Sequence, residues 1–230
     1  MHIPDGFFNA PTSAGAALIT ASVVGASLKL SRGKMESEVA PVAGLTAVFI
    51  FAAQMINFPV ALGTSGHLIG GTLAAILIGP WAAILAMTVV LAVQALVFAD
   101  GGLTALGLNI LNMGVISVLV GFSVFNLVIK FMPKNRVGIL SSAALAAFIS
   151  VPSAALGFVI EYAIGGTATF ELRDVFFAVI GVHLLIGLGE ALITFLVVSA
   201  VLAARADLVT GARKYLPQSK LIISGQDVNA

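Results

Sequence analysis

Charge is what this sequence has least of: Lys, Arg, Asp and Glu make up 9% of its 230 residues, against roughly 25% in soluble globular domains. With 60% hydrophobic residues and a mean hydropathy of +1.12, that deficit excludes a water-facing globule and points to a chain embedded in lipid. Cysteine is absent, which removes disulfides, thiolate metal sites and cysteine nucleophiles. No basic run suggests nucleic acid, and a net charge of +1 says nothing about a partner. No Gly-x4-Gly-Lys-Ser/Thr pattern occurs, so any coupling to ATP has to come from other subunits. The leader Met1 to Pro11 carries Asp5 and no Lys or Arg, the wrong sign for a cleaved signal peptide. The first apolar segment is therefore expected to stay, as a helix with its N-terminus outside the cytoplasm.

What the chain does have is long apolar runs. They cover about Ser13–Leu28, Pro41–Ile56, His67–Gly79, Trp81–Phe98, Leu103–Ile129, Val137–Ile160 and Val175–Ala204, several of them near the ~18 residues that mark a membrane helix. The third is short: about 13 residues rise only about 20 Å as a helix, against roughly 30 Å of hydrocarbon. Gly79-Pro80 breaks it from the fourth, so the two are tilted helices or a partly buried hairpin. With seven crossings and the N-terminus outside, every Lys and Arg except Arg173 falls on the cytoplasmic side. They sit in three groups: Lys29, Arg32 and Lys34; Lys130, Lys134 and Arg136; Arg205, Arg213, Lys214 and Lys220. That asymmetry supports this orientation over a six-crossing alternative. The expectation is an all-α fold, a polytopic seven-helix transmembrane bundle with the C-terminus cytoplasmic. It forms one integral membrane domain over residues 1–230 of a prokaryotic cytoplasmic (inner) membrane. Abundant Gly and Ala suit close helix approach.

Met1 and His2 set two unlike metal-binding groups side by side. A free α-amine and an imidazole one peptide bond apart close chelate rings through the intervening backbone nitrogen. Completed by a second imidazole, such an all-nitrogen set suits square-planar Ni(II) or Cu(II). A residue as large as His2 in second position should leave Met1 untrimmed. The second imidazole is offered by His67, at the end of a Gly-, Pro- and Ser-bearing loop, residues 57–67, that enters the third apolar run. The topology puts His67 at the outer mouth, on the same side as a metal-binding strip spanning residues 1–12, with residues 205–230 left as a cytoplasmic tail. Alone, either histidine reads as a solvated residue in an idle loop; together they read as one site.

Met1-His2-Ile3-Pro4-Asp5-Gly6-Phe7, joined to Gly63-Thr64-Ser65-Gly66-His67-Leu68-Ile69-Gly70-Gly71, resembles the CbiM/NikM family. This family comprises the substrate-binding (S) membrane components of nickel and cobalt energy-coupling-factor (ECF) transporters. The resemblance runs through essentially all of the hydrophobic chain. It implies metal ligands at the Met1 amine, the His2 backbone nitrogen, the His2 imidazole and the His67 imidazole. It also implies Ni(II), with Co(II) possible, as transported substrate, no cofactor, no enzymatic activity, and partners in the form of a coupling membrane subunit and ATPase subunits. Planar nitrogen ligation favours Ni(II) or Cu(II) without excluding cobalt.

Other polar residues have weaker claims. Pro4-Asp5-Gly6 is a turn signal that folds the strip back, and Phe7, Phe8 and Pro11 give it an apolar face with which to plug the bundle. Asp5 can orient an imidazole, and Thr64 and Ser65 can hydrogen-bond the ligands. Asn109 and Asn112 can do the same or simply link helices. His183 and Glu190 lie two turns apart on one face of the last segment, as an interhelical contact or part of a proton relay. No second acid falls inside the apolar runs as bounded above. A multistep relay would thus lack members, and a self-sufficient secondary divalent-metal transporter using His183 and Glu190 stands as the competing class. Gly63-Thr64-Ser65-Gly66 also matches the Gly-x-Ser-Gly of rhomboid intramembrane serine proteases, with His183 as a conceivable base. That reading leaves Met1-His2 unexplained.

Overall fold

The computed structural model describes residues 2–31, 39–56, 58–59 and 65–216. In lipid an apolar segment can satisfy its backbone alone only as a helix, and each apolar run contains one. In order they are α1 (Ala10–Ser31), α2 (Val39–Gln54), α3 (Gly71–Ile78) and α4 (Pro80–Val97). Then α5 (Leu106–Asn109), a π-helical stretch (Ile110–Ile116) and α6 (Ser117–Val128) run on without a break, followed by α7 (Arg136–Gly165) and α8 (Leu172–Ala204). Two two-residue strands, Phe58–Pro59 and Ser65–Gly66, pair antiparallel before α3. Among the described residues, five helical stretches are long and apolar enough to cross a membrane: α1, α4, Leu106–Val128, α7 and α8. The chain is an integral membrane protein. Its outward-facing leucines, among them Leu18, Leu45, Leu96, Leu185 and Leu188, leave an apolar exterior that water would not tolerate.

Two ends of the bundle follow from the helix directions. The upper end carries residues 2–9 and the loops after α4 and α7. The lower end carries every described Lys and Arg except Arg173.

The third apolar run departs from the expected helix. Its helix starts only at Gly71, because Gly70 sits at φ +83° and interrupts the backbone, and it stops at Gly79, φ +82°, with Pro80 opening α4. All eight residues of α3 are buried, so this is a core plug wrapped by α2, α4, α6 and α7. A helix that ends inside the bundle leaves carbonyls without partners. The chain beyond α8 supplies them: Thr210 N–H donates to Leu77 O at 3.1 Å and Gly211 N–H to Ile76 O at 2.9 Å. Residues 206–216 are therefore packed beneath α3, with Val209 and Ala212 fully buried. The first part of the expected cytoplasmic tail over 205–230 is thus packed against the bundle; residues 217–230 lie outside the described ones.

The sixth run also extends beyond its expected limit at Ile160. α7 continues to Gly165 and carries Glu161, a buried acid. Among the described residues the membrane helices thus bury two carboxylates, Glu161 and Glu190, not Glu190 alone. Asn112 meets Glu161, its Nδ2 donating to Oε2 at 2.6 Å. A polar pair across helices is the arrangement a buried carboxyl needs.

Candidate metal centre

The strip is sewn into the upper end of the bundle residue by residue. Ile3, 1% exposed, is held by the Asn109 side chain as a strand holds a neighbour. Ile3 N–H donates to Asn109 Oδ1 at 2.8 Å and Asn109 Nδ2 donates to Ile3 O at 3.2 Å. The same carbonyl accepts from Gly102 N–H at 2.8 Å. Pro4-Asp5-Gly6 then turns, with Gly6 at φ +77°. Phe7 and Phe8 pack on Phe158 and Tyr162, Phe8 meeting Phe158 edge-on at 5.7 Å between ring centres. Phe7 O and Gly6 O accept from Thr167, and Asn9 N–H donates to Gly165 O at 2.8 Å. Backbone and aromatics together fix where His2 goes.

His2 goes down into the bundle, 5% exposed. Its Nε2 lies 3.1 Å from Gln94 Oε1 and its Nδ1 3.2 Å from Asp100 Oδ1. The imidazole of His67, 1% exposed, stacks on it with ring centres 4.4 Å apart and planes 23° from parallel. Two histidines far apart in sequence thus share one buried pocket. His67 Nδ1 sits 2.6 Å from Leu68 O, a contact that calls for the proton on Nδ1 and leaves the lone pair on Nε2. The Asp100 carboxyl is held below the usual carboxylate range by its contact with His2, which keeps a negative charge beside that ring. An apolar groove of about 450 Å³ between α2 and α8, lined in part by Ala53, Ile56, Leu68 and Ile186, reaches His67 from the side.

The other expected residues fall in several places. Asn109 binds the strip, as just described. Asn112 does not: it serves the Glu161 contact between helices. Asp5 touches no imidazole; its Oδ1 accepts from Thr104 N–H at 2.7 Å and Thr104 Oγ1 at 2.5 Å. Those bonds lower its pKa, and the acid beside an imidazole is Asp100. Met1, Thr64 and the side chain of Ser65 lie outside the described residues. His183 and Glu190 share the buried face of α8 but do not meet. His183 Nδ1 pairs with Val179 O one turn back. Glu190 accepts from the backbone N–H groups of Ile69 and Gly70, each at 2.8 Å.

Gln94, Asp100, Gly102 and Glu161 were absent from the sequence-based set. Asp100-Gly101-Gly102 does carry a signal, an acid and two glycines just past an apolar run, but it reads only as a turn. The structure gives Gly102 a further reason. A Cβ there would lie 2.5 Å from Asp5 Oδ1 and 2.7 Å from the Pro4 carbonyl carbon, so only glycine lets the strip pass.

Comparison with known proteins agrees with this architecture. The model of a family described as the cobalt uptake substrate-specific transmembrane region, CbiM, matches residues 2–208. A putative fused nickel transport protein, NikMN, of Archaeoglobus fulgidus is 42% identical over 210 residues, 91% of this chain and 68% of that protein. A putative metal transport protein of Haloquadratum walsbyi is 38% identical over 212 residues, 91% of this chain and 93% of that one. A crystal structure described as a truncated transition metal transporter superposes with a TM-score of 0.82 at 32% identity. It covers 89% of this chain and 99% of its own.

Proposed function

Because the chain belongs to the CbiM family, we propose that it is the substrate-capturing membrane component of an ECF-type transporter. It takes up Ni(II), with Co(II) as a second substrate, from outside the cytoplasmic membrane. The observation that carries this reading is the buried stack of His2 on His67 at 4.4 Å. A strip pinned by Asn109, Gly102 and the Phe8 cluster presents the chain's first residues to a histidine held by the core. The ligands are the Met1 amine, the His2 amide nitrogen and Nδ1, and His67 Nε2. Nδ1 is the ring nitrogen that closes a chelate ring with the amide of its own residue. Capture therefore exchanges the Nδ1–Asp100 contact for a metal bond and leaves Asp100 to balance the cation. Fused chelate rings and imidazoles form a strong planar field, which suits Ni(II) over harder ions such as Mg(II) or Ca(II).

The concentration of basic residues at the lower end supports seven crossings with the strip outside. The absence of an ATP-binding motif from this sequence supports coupling through partner membrane and ATPase subunits. The competing readings find less support. Glu190 has both oxygens engaged by backbone N–H groups, which does not suit a relay carboxylate, and His183 faces a carbonyl of its own helix.

Two measurements test the proposal. His2→Ala and His67→Ala should each abolish tight Ni(II) binding by calorimetry in protein with a native N-terminus, with the bundle still folded. Cellular uptake should require the ATPase and coupling subunits; uptake by this chain alone would make it a self-sufficient transporter.

A further inference from the structure

We infer that Glu190 is the positioning residue for His67, a carboxylate on α8 that fixes the ligand-bearing backbone. The inference rests on the reading of His67 as a ligand. Residues 67–70 are non-helical backbone inside the bundle, where each N–H and C=O must find a protein partner. Three of these groups find one in two side chains. Glu190, fully buried, takes Ile69 N–H on Oε2 and Gly70 N–H on Oε1, each at 2.8 Å. Gln54 at the end of α2 donates through Nε2 to Ile69 O at 2.7 Å. The Ile50 side chain closes over Gly70, approaching a would-be Cβ to 3.0 Å. Consecutive N–H groups aimed at one carboxylate form a two-point clamp, and two points fix orientation as well as position. His67 is two residues from that clamp, and its ring is further held by the Leu68 carbonyl next door. The side chain that sets the depth and pitch of His67 is therefore carried by α8, and α8 and the fourth ligand move together.

The test uses full-length protein with a native N-terminus and follows Ni(II) affinity together with the number of bound nitrogens, the latter from the hyperfine pattern of the Cu(II)-loaded protein. Glu190→Gln keeps one acceptor and replaces the other with a donor that opposes an N–H. It should weaken Ni(II) binding about 10- to 100-fold, the usual effect of losing a group that orients a ligand. The Cu(II) pattern should lose one nitrogen, as in His67→Ala. In a His67→Ala background the same change should have less than about a twofold further effect, because its route to the metal is gone. Glu190→Asp, whose shorter stem reaches one N–H at most, should show the same lost nitrogen and serves if Glu190→Gln does not fold. Wild-type affinity with an unchanged nitrogen count in either variant would overturn the inference. So would an equal loss in the His67→Ala background, which would mark a general effect on the bundle. Failure of the reading beneath it shows separately, as a wild-type protein that binds no Ni(II).

Discussion

Replacing Gly102 by Ala is expected to cripple metal capture while leaving the bundle intact. The added Cβ would stand 2.5 Å from Asp5 Oδ1 and 2.7 Å from the Pro4 carbonyl carbon, where ordinary contact begins at 3.4 Å. The Asp5 backbone nitrogen would stand closer still, so the strip must lift by at least about 0.9 Å, the larger of the two differences from ordinary contact. It cannot do so without stretching Gly102 N–H···O Ile3 and Ile3 N–H···Oδ1 Asn109, both now 2.8 Å. Two buried hydrogen bonds at roughly 1 kcal/mol each, plus part of the cost of an unpaired buried N–H, come to about 2–3 kcal/mol. If only the seated strip presents His2, that is a loss of roughly 30- to 150-fold in apparent Ni(II) affinity. Calorimetric titration reads it directly. Gly15→Ala is the control, since a Cβ there meets nothing within 4 Å. If Gly102→Ala bound Ni(II) as tightly as that control, the strip would not need its observed path and the reasoning would fail.

Further perturbations separate the strip from the scaffold. Phe8→Ala removes a buried anchor worth roughly 3 kcal/mol and should expose the strip to proteolysis, with Ni(II) restoring protection less well than in wild type. Asn112→Leu strands the Glu161 carboxyl and should lower the melting temperature by roughly 5 °C with Ni(II) affinity unchanged; a binding defect without a stability defect would return Asn112 to the site. Acid should weaken binding from about pH 8 to 5, because the terminal amine, ordinarily protonated below about pH 8, must shed its proton to ligate. Over that range the strip should stay seated. The Thr104 bonds lower the Asp5 pKa, so its stabilising contribution is complete above the ordinary carboxyl value and is lost only as pH falls through the lowered one. Hydrogen exchange at Ile3 that rose in step with the loss of metal would contradict this.

Much of the architecture was legible because lipid enforces it: uninterrupted apolar runs must be helices, and each run contains one. The misread boundaries are places where a buried polar group was locally indistinguishable from an end. Glu161 appeared to stop the sixth run, but Asn112 partners it across the helices and α7 continues. His67 to Gly70 appeared to open a helix, but Gly70 turns to φ +83° and Glu190 and Gln54 hold the irregular backbone. The packing of residues 206–216 under α3 was invisible, since it answers to the Ile76 and Leu77 carbonyls and nothing local in that segment marks so distant a partner. At the site, the pairing of His2 with His67 was legible from topology, both being expected at one end of the bundle. Asp100 and Gln94 were not, because nothing local marks a carboxylate or an amide as the neighbour of a distant imidazole.

The central claim is a metal held in a plane by one amine, one amide and two imidazoles. The measurement that tests it most directly is the magnetism of the Ni(II)-loaded protein with a native N-terminus, read with its visible absorption. Planar nitrogen ligation predicts a diamagnetic, low-spin ion with a single strong ligand-field envelope. The diamagnetism should be lost when the N-terminus is acetylated. A paramagnetic Ni(II) in the unmodified protein, six-coordinate with oxygen ligands, would contradict the account.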